Sequence, residues 1–417
     1  MVLASTGLLL GAPALSQFRV EVTGVGLTQL PILVPAFRGE GTAPQKIAAI
    51  VMADLERSGR FSNIDGAGLA FDESSRPDVN PLRQRGADAL CAGSITRLAD
   101  GRFDVRFRLW DLVRLQDLGG HNFAEPAGDL RMVAHRIADF IYEKLTGDRG
   151  VFSTRIAYVT KAGERFNLWV AEADGENAQS LFASPEPIIS PAWSPNGAQV
   201  AYVSFESRKP VVYVQDVAQP RRRLLANFRG SNSAPAWAPD GRSLVVTLSR
   251  DGGSQLYRID ANGGEPRRLI ESGSIDTEPL YSADGRSIYF VSDRGGAPQI
   301  YRVAAGGGSP ERVTFSGSYN ISPSLSPDGR WLAYISRVGG AFKLHVMEMA
   351  TGTVTAITDT TADESPSFAP NSRLIVYATR QAGREALMTT TLDGKIKARL
   401  AGQAGDIREP DWGPFTR

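Results

Sequence analysis

The sequence predicts an α+β N-terminal domain followed by an all-β six-bladed β-propeller, closed by the C-terminal strand. Three observations predict it: a phrase that repeats about every 44 residues, strand-length apolar runs divided by glycine turns, and helix-period patterns confined to residues 31–148.

The phrase is clearest as Pro323-Ser324-Leu325-Ser326-Pro327-Asp328-Gly329-Arg330, followed by the apolar run Trp331–Ile335. It recurs from Pro191, Pro235 and Pro279, more loosely from Pro366, and in shortened form at Pro410-Asp411-Trp412. The leading prolines are separated by 44, 44, 44, 43 and 44 residues. A period in the low forties with several short strands per unit is that of a propeller blade.

Within one unit, the residues around the leading proline make a short strand. Asp-Gly then supplies a tight hairpin turn, both of whose central positions are expected at positive φ. Ser287–Val291 and Gln299–Val303 follow as strands, and Gly306-Gly307-Gly308 turns the chain into a fourth around Arg312. A four-stranded sheet of this kind cannot bury both faces alone, so blades must pack around an axis. The first unit, from Arg155, has three strands of its own, and the last phrase has no blade after it. The C-terminal strand is therefore expected to complete the first blade, because an open ring would expose an edge strand.

The chain of 417 residues has room for two or three domains. A 42% apolar and 22% charged composition is that of a folded globular chain. Net charge is +1, which gives no bulk attraction to nucleic acid or an anionic surface. Cys91 is the single cysteine and reads as a small buried apolar residue, so neither an intrachain disulfide nor a Cys-rich metal site is expected. Arg221-Arg222-Arg223 reads as a solvated loop. Residues 1–16 carry Leu8-Leu9-Leu10 and end Ala14-Leu15-Ser16, the pattern of an export signal cut before Gln17, although no basic residue precedes Arg19. The run is too short for a membrane-spanning helix. Residues 17–30 read as a flexible arm with one short strand, Phe18-Arg19-Val20-Glu21-Val22.

Residues 31–148 alternate strand and helix patterns. Ile32-Leu33-Val34 is a strand. A helix capped by Thr42 presents Ile47, Ile50, Val51 and Leu55 and stops at Gly59. Asp88–Ala92 is a second strand, and Asp100-Gly101 joins Ser94–Leu98 to Arg102–Leu109. There Phe103, Val105, Phe107 and Leu109 alternate with charged residues, as in a sheet with one wet face. A closing helix carries Leu130, Val133, Ala134, Ile137, Ile141 and Leu145 and ends at Gly147. The propeller spans 154–417.

No motif for catalysis is present. The histidines number three, His121, His135 and His345, and no nucleophile elbow, phosphate loop or zinc-protease signature accompanies them. The pairs before each leading proline are Ile189-Ser190, Ser233-Ala234, Thr277-Glu278, Ile321-Ser322, Glu364-Ser365 and Arg408-Glu409. They are expected to ring one mouth of the axial channel and, unlike the turns, they differ from blade to blade. The carboxylates Asp276, Glu278, Asp363, Glu364 and Glu409 are placed to hold a cation there.

Several segments are specific. Val34-Pro35-Ala36-Phe37, Asp54-Leu55 with Ser58-Gly59-Arg60-Phe61, Gly86–Leu90, Lys144–Gly147, Arg155–Val159 and Thr277-Glu278-Pro279 together resemble the TolB family, over nearly the whole chain after residue 16. Asn371-Ser372, in place of Asp-Gly, departs from the repeat. The resemblance implies a periplasmic, non-enzymatic adaptor without cofactor or metal. It implies an arm (Gln17, Phe18, Arg19, Val20, Glu21, Val22 and on to Thr28) that binds TolA. It also implies a channel mouth that binds the Pal lipoprotein through Ser231, Ala234, Thr277 and Glu278. Further implications are support of outer-membrane integrity and constriction at division, colicin-like translocation peptides as additional partners, and no nucleic-acid partner. The rival reading is an accessory propeller of a peptidase, which shares the blade phrase; its hydrolase domain would need more α/β chain than follows Pro414.

Overall fold

The computed structural model describes residues 20–22 (backbone), 29–381, 383–401 and 405–415. The expected signal (1–16) and the arm residues Gln17, Phe18 and Arg19 lie outside the described residues. Among those described, no helix is long and apolar enough to cross a membrane.

The N-terminal domain is one mixed sheet in the order Phe61–Ile64, Leu30–Leu33, Ala89–Arg97, Phe103–Asp111, Gln116–Gly119. Its first three strands are parallel, and Phe103–Asp111 runs antiparallel to Ala89–Arg97. Ala89–Arg97 is a single strand, so the two segments read separately on either side of Gly93 are continuous. Gly93 is required there, since a Cβ would lie 2.4 Å from the Phe37 ring. Helices α1 (Ile47–Arg57) and α3 (Leu130–Thr146) cover one face and bury Ile47, Val51, Leu55, Val133, Ile137 and Ile141 against Phe103, Val105, Phe107 and Leu109. A short α2 (Val79–Gln84), not foreseen, covers the other face with Leu82 against Leu33 and Leu90. Helix α1 starts later than Thr42 suggests. Residues Glu40–Thr42 form a 3₁₀ turn, and the Glu40 carboxylate accepts from the Ala48 N–H at 2.8 Å, serving the orphan donor that a capping side chain would serve.

Six four-stranded blades follow. Blades 2 to 5 run in sequence order from the axis outward, beginning at Ile188–Trp193, Asn232–Trp237, Asp276–Tyr281 and Asn320–Leu325. Blade 6 begins at Glu364–Phe368, and Val20–Val22 adds a fifth strand by pairing with its outer strand Ile396–Arg399. Part of the arm is thus placed on the propeller rather than free.

Blade 1 takes its innermost strand, Asp406–Trp412, from the C-terminus, paired with Arg155–Ala162. Trp412 is buried among Ile156 and Tyr158 of blade 1 and Leu374 and Val376 of blade 6, and its indole donates to Thr154 Oγ1 at 2.8 Å. Beside it, the Asp411 carboxylate accepts from Trp193 N of blade 2 (2.8 Å) and Ser367 Oγ of blade 6 (2.9 Å).

The repeated turns differ from expectation. They open at Ser194, Ala238, Ser282 and Ser326, and in each only the glycine is left-handed. Gly197, Gly241, Gly285 and Gly329 have φ of 68–71°, and the Asn or Asp before each does not share it. Each connection runs over five residues, as in 194–198, rather than two. That length accommodates an ordinary turn closed by the bond from Gly197 N to Ser194 O (2.9 Å), with the left-handed residue at its end.

In blade 6 the departure Asn371-Ser372 has a reason. Ser372 takes the left-handed place (φ 63°), Asn371 Nδ2 donates to Arg149 O (3.0 Å), and Arg373 grips Asp148 with two 2.9 Å bonds. This turn docks the connection between the domains. The same connection is held from the other side by Asp139 of α3, which accepts from Phe152 N (2.7 Å) and Ser153 N (3.1 Å). The α/β domain therefore sits at the turn end of blades 6 and 1, away from the end where the innermost strands begin.

Ring closure generates a prediction. Trp412→Ala should cost about 3–5 kcal/mol, the range for emptying a large aromatic site, read from chemical denaturation. Removing Asp406–Trp412 should be worse. A shortened chain that melts at the full-length temperature would show that this strand does not hold the ring.

Candidate functional site

Each innermost strand contains the same irregularity. Its register slips between the second residue before the proline and the first after it, so the pre-proline residue and the proline together oppose one residue of the next strand. Proline suits a bulge because it has no N–H to lose from the ladder. The residue before it is left-handed in all six blades: Ser190 (φ 53°), Ala234 (45°), Glu278 (49°), Ser322 (51°), Ser365 (48°) and Glu409 (50°). None is glycine, and such geometry costs about 1–3 kcal/mol per residue. These six line an axial cavity of about 500 Å³, with the prolines and the residues that follow them.

Their chemistry departs from the six-fold repeat, with three serines, two glutamates and one alanine. Glu409 in blade 1 and Glu278 in blade 4 lie across the ring from each other, and each accepts from the backbone N–H of the equivalent serine one blade on. Glu278 takes Ser322 N at 2.6 Å, and Glu409 takes Ser190 N. Glu364 of blade 6 is a third lining carboxylate, and its Oε1 has no hydrogen-bond partner among the described residues. Burial raises all three above the ordinary carboxylate range. Glu409 is pushed up to about 7, with the charges of Glu364 and Glu278 adding to burial and the Ser190 N–H opposing it.

The expected ring of pairs is thus half realised. Ala234 and Glu278 line the cavity, whereas Thr277 is half-buried in the strand opposite Val291, and Ser231 lies in the segment leading into blade 3, its N–H bonded to Ser249 Oγ at 2.8 Å. Of the five carboxylates read as a cation site, two are elsewhere. Asp276 is paired with Arg294 (2.8 Å), and Asp363 accepts from Leu344 N (3.0 Å) and Thr379 Oγ1 (2.6 Å). Both are buried in the blades because their positions precede the bulge. Arg222 is not in a solvated loop but in the strand Arg222–Ala226, its guanidinium stacked on Phe182 (4.3 Å) and Tyr213 (4.5 Å) and paired with Glu206 (2.6 Å).

The sequence reading missed the rim. Ile275, Phe315 and Val338 are 53%, 76% and 49% exposed, and all three lie in segments at the end where the innermost strands begin. Isolated apolar residues in loops or at a strand end, as Val338 is, give no periodic signal by which to find them.

The raised Glu409 carboxyl makes stability depend on pH. Ionised, it opposes folding, so the penalty is absent below about pH 4.5, grows as pH rises towards 7 and is constant above. Glu409→Gln should therefore stabilise the protein by on the order of 1–3 kcal/mol at pH 8 and by nothing at pH 4. Thermal unfolding at both pH values checks this, and equal melting of variant and wild type at pH 8 would contradict it.

Comparison with known proteins agrees with this architecture. Residues 18–118 match the model described as the TolB amino-terminal domain, and residues 142–416 match the TolB beta propeller domain. A Tol-Pal system protein TolB from Albidiferax ferrireducens is 80% identical over 405 residues, covering 97% of this chain and 95% of that protein. One of the same name from Dechloromonas aromatica is 63% identical, covering 99% and 97%. The crystal structure of TolB from Acinetobacter baumannii superposes with a TM-score of 0.87 at 37% identity, covering 96% of this chain and all of that one. With both domains matched in order and relatives this similar along their whole length, the chain belongs to the TolB family.

Proposed function

We propose that this protein is a periplasmic, non-enzymatic adaptor of the Tol-Pal system, one that binds Pal at the channel mouth opposite the α/β domain and TolA through the N-terminal arm. In this role it supports outer-membrane integrity and constriction of the outer membrane at division, with colicin-like translocation peptides as additional partners. The observation that carries the reading is the ring of six strained residues, three serines, two glutamates and one alanine, around one lumen. Backbone strain of this kind clusters at functional sites, and a ring that lacks the six-fold symmetry of the blades suits a partner that is not itself six-fold. The relatives' shared name supports the choice of system.

Ser231, Ala234, Thr277 and Glu278 form the Pal-facing sector on blades 3 and 4. A partner seated over Glu278 must supply a donor or cation, since an unpaired buried carboxylate is costly. The arm, Gln17 to Thr28, is the TolA-binding segment. Its three-residue pairing at the edge of blade 6 is small enough to be exchanged for a partner.

Ala234→Arg places bulk and charge in the lumen and should weaken Pal binding at least tenfold, about 1.4 kcal/mol, with the melting temperature unchanged. Arg286→Ala, at a turn on the opposite end, should leave binding as it was. Pal affinity unaltered in a folded Ala234→Arg protein would overturn the assignment of this mouth. For the arm, deletion of Gln17–Thr28 should abolish TolA binding in calorimetry and spare Pal binding. Equal TolA affinity with and without these residues would contradict the assignment.

A further inference from the structure

His135 is the most deeply buried ionisable group at the boundary between the domains, with no exposed surface at all. Its Nδ1 meets Asp54 Oδ2 of α1 at 2.6 Å. Its Nε2 faces the propeller, 3.3 Å from Glu172 Oε2 and 3.7 Å from Asp174 Oδ2 at the end of a blade 1 strand. Two guanidinium groups complete the cluster. Arg57 of α1 pairs with the other Asp54 oxygen at 2.7 Å, and Arg131 of α3 pairs with Glu172 (3.1 Å) and Asp174.

We propose that this cluster is a charge-balanced latch that fixes the α/β domain against blade 1, and that unbalancing it by one charge lets the two domains separate while each stays folded. Protonated, His135 makes three cations with Arg57 and Arg131, against three carboxylates from Asp54, Glu172 and Asp174. The cations all belong to the α/β domain, and two of the carboxylates belong to the propeller. The attraction therefore acts across the boundary.

Burial alone would drive the imidazole neutral. The Asp54 carboxylate, with Glu172 and Asp174 beyond it, outweighs that and raises the group to about 10. Burial would likewise raise Glu172, and the His135 contact outweighs it, bringing that carboxyl down to about 2. Other groups nearby are Asp139 of α3, which faces Asp54, Glu176 beyond Arg131, and Asn177, which donates to the second Glu172 oxygen at 2.9 Å.

The ligand-type atoms of Asp54, His135 and Asp174 lie within 4.8 Å of one another. Arg57 and Arg131 already take oxygens of both carboxylates, so the cluster supplies its own counter-charge. Breaking a buried ion pair from one side strands the remaining charges, whereas removing both partners need not.

The test is a charge-rescue series on the full chain: wild type, His135→Gln, Glu172→Gln and the double variant. Calorimetry and small-angle scattering at pH 7 read the outcome. Wild type should unfold in one transition. Each single variant should split into two, the first at least about 5 °C lower, with a larger radius of gyration and faster cleavage between Asp148 and Thr154. The double variant, neutral again, should regain one transition and the compact radius. If His135→Gln does not fold, a compact double variant still supports the latch. A single variant that keeps the wild-type transition overturns it, and so does a double variant no better than the singles. Neither result bears on the partner assignments, since no partner is present.

Discussion

A ring of blades has one seam, and everything radial depends on it. Here the seam is closed by Asp406–Trp412, which pairs with a strand some 250 residues earlier in the chain. Such a contact carries a loop-closure cost that no short-range contact repays, so its local bonding has to be unambiguous. The Asp411 carboxylate provides this by accepting from blade 2 on one side and blade 6 on the other, while Trp412 fills the core between blades 1 and 6. Burial raises Asp411 to about 6, so its two donors only partly offset the cost of keeping a carboxylate there. That arrangement gives specificity to the closure at some expense in stability.

The blades were legible because proline, glycine and apolar runs recur at a fixed interval, and each of these restricts the backbone by itself. The bulge was not legible in the same way. Ser190, Ala234, Glu278, Ser322, Ser365 and Glu409 share no residue type that favours left-handed geometry. The available signal is the proline itself, which lacks the N–H a ladder uses and is confined within sheets to edge strands, first residues and bulges. That signal recurs six times, and as a strand marker alone it says nothing of the slip in register. The pairs imply equal exposure for both positions, whereas the slip in register sends the pre-proline residue to the lumen and leaves its predecessor in the ladder, with Glu364 of blade 6 reaching the lumen as well.

The domain boundary was illegible for a different reason. His135 contacts Asp54, 81 residues before it, and Glu172, 37 residues after it. Nothing in its helix distinguishes it from its neighbours. Arg222 is illegible likewise, because a run of three arginines says nothing of the Phe182 and Tyr213 rings that receive the middle one. Asn371-Ser372 is the opposite case: a visible departure from the repeat whose cause, the docking of Arg149 and Asp148, lies in another part of the chain.

These features place two kinds of cost at opposite ends of one body. At the turn end, most buried charges are paired within the chain, and the connection between domains is gripped by Asp139 on one side and Asn371 and Arg373 on the other. At the other end the costs are left unmatched: six left-handed residues, a Glu364 oxygen without a partner among the described residues, and a Glu409 carboxyl held near 7 by burial and its neighbours. A fold under selection for stability alone would have little reason to keep a glutamate where glutamine can accept the same N–H. Keeping three carboxylates around one lumen makes sense when their charge is met by something that is not part of the chain. Under the proposed function, the turn end is the scaffold and the other end is the surface on which a partner completes the structure.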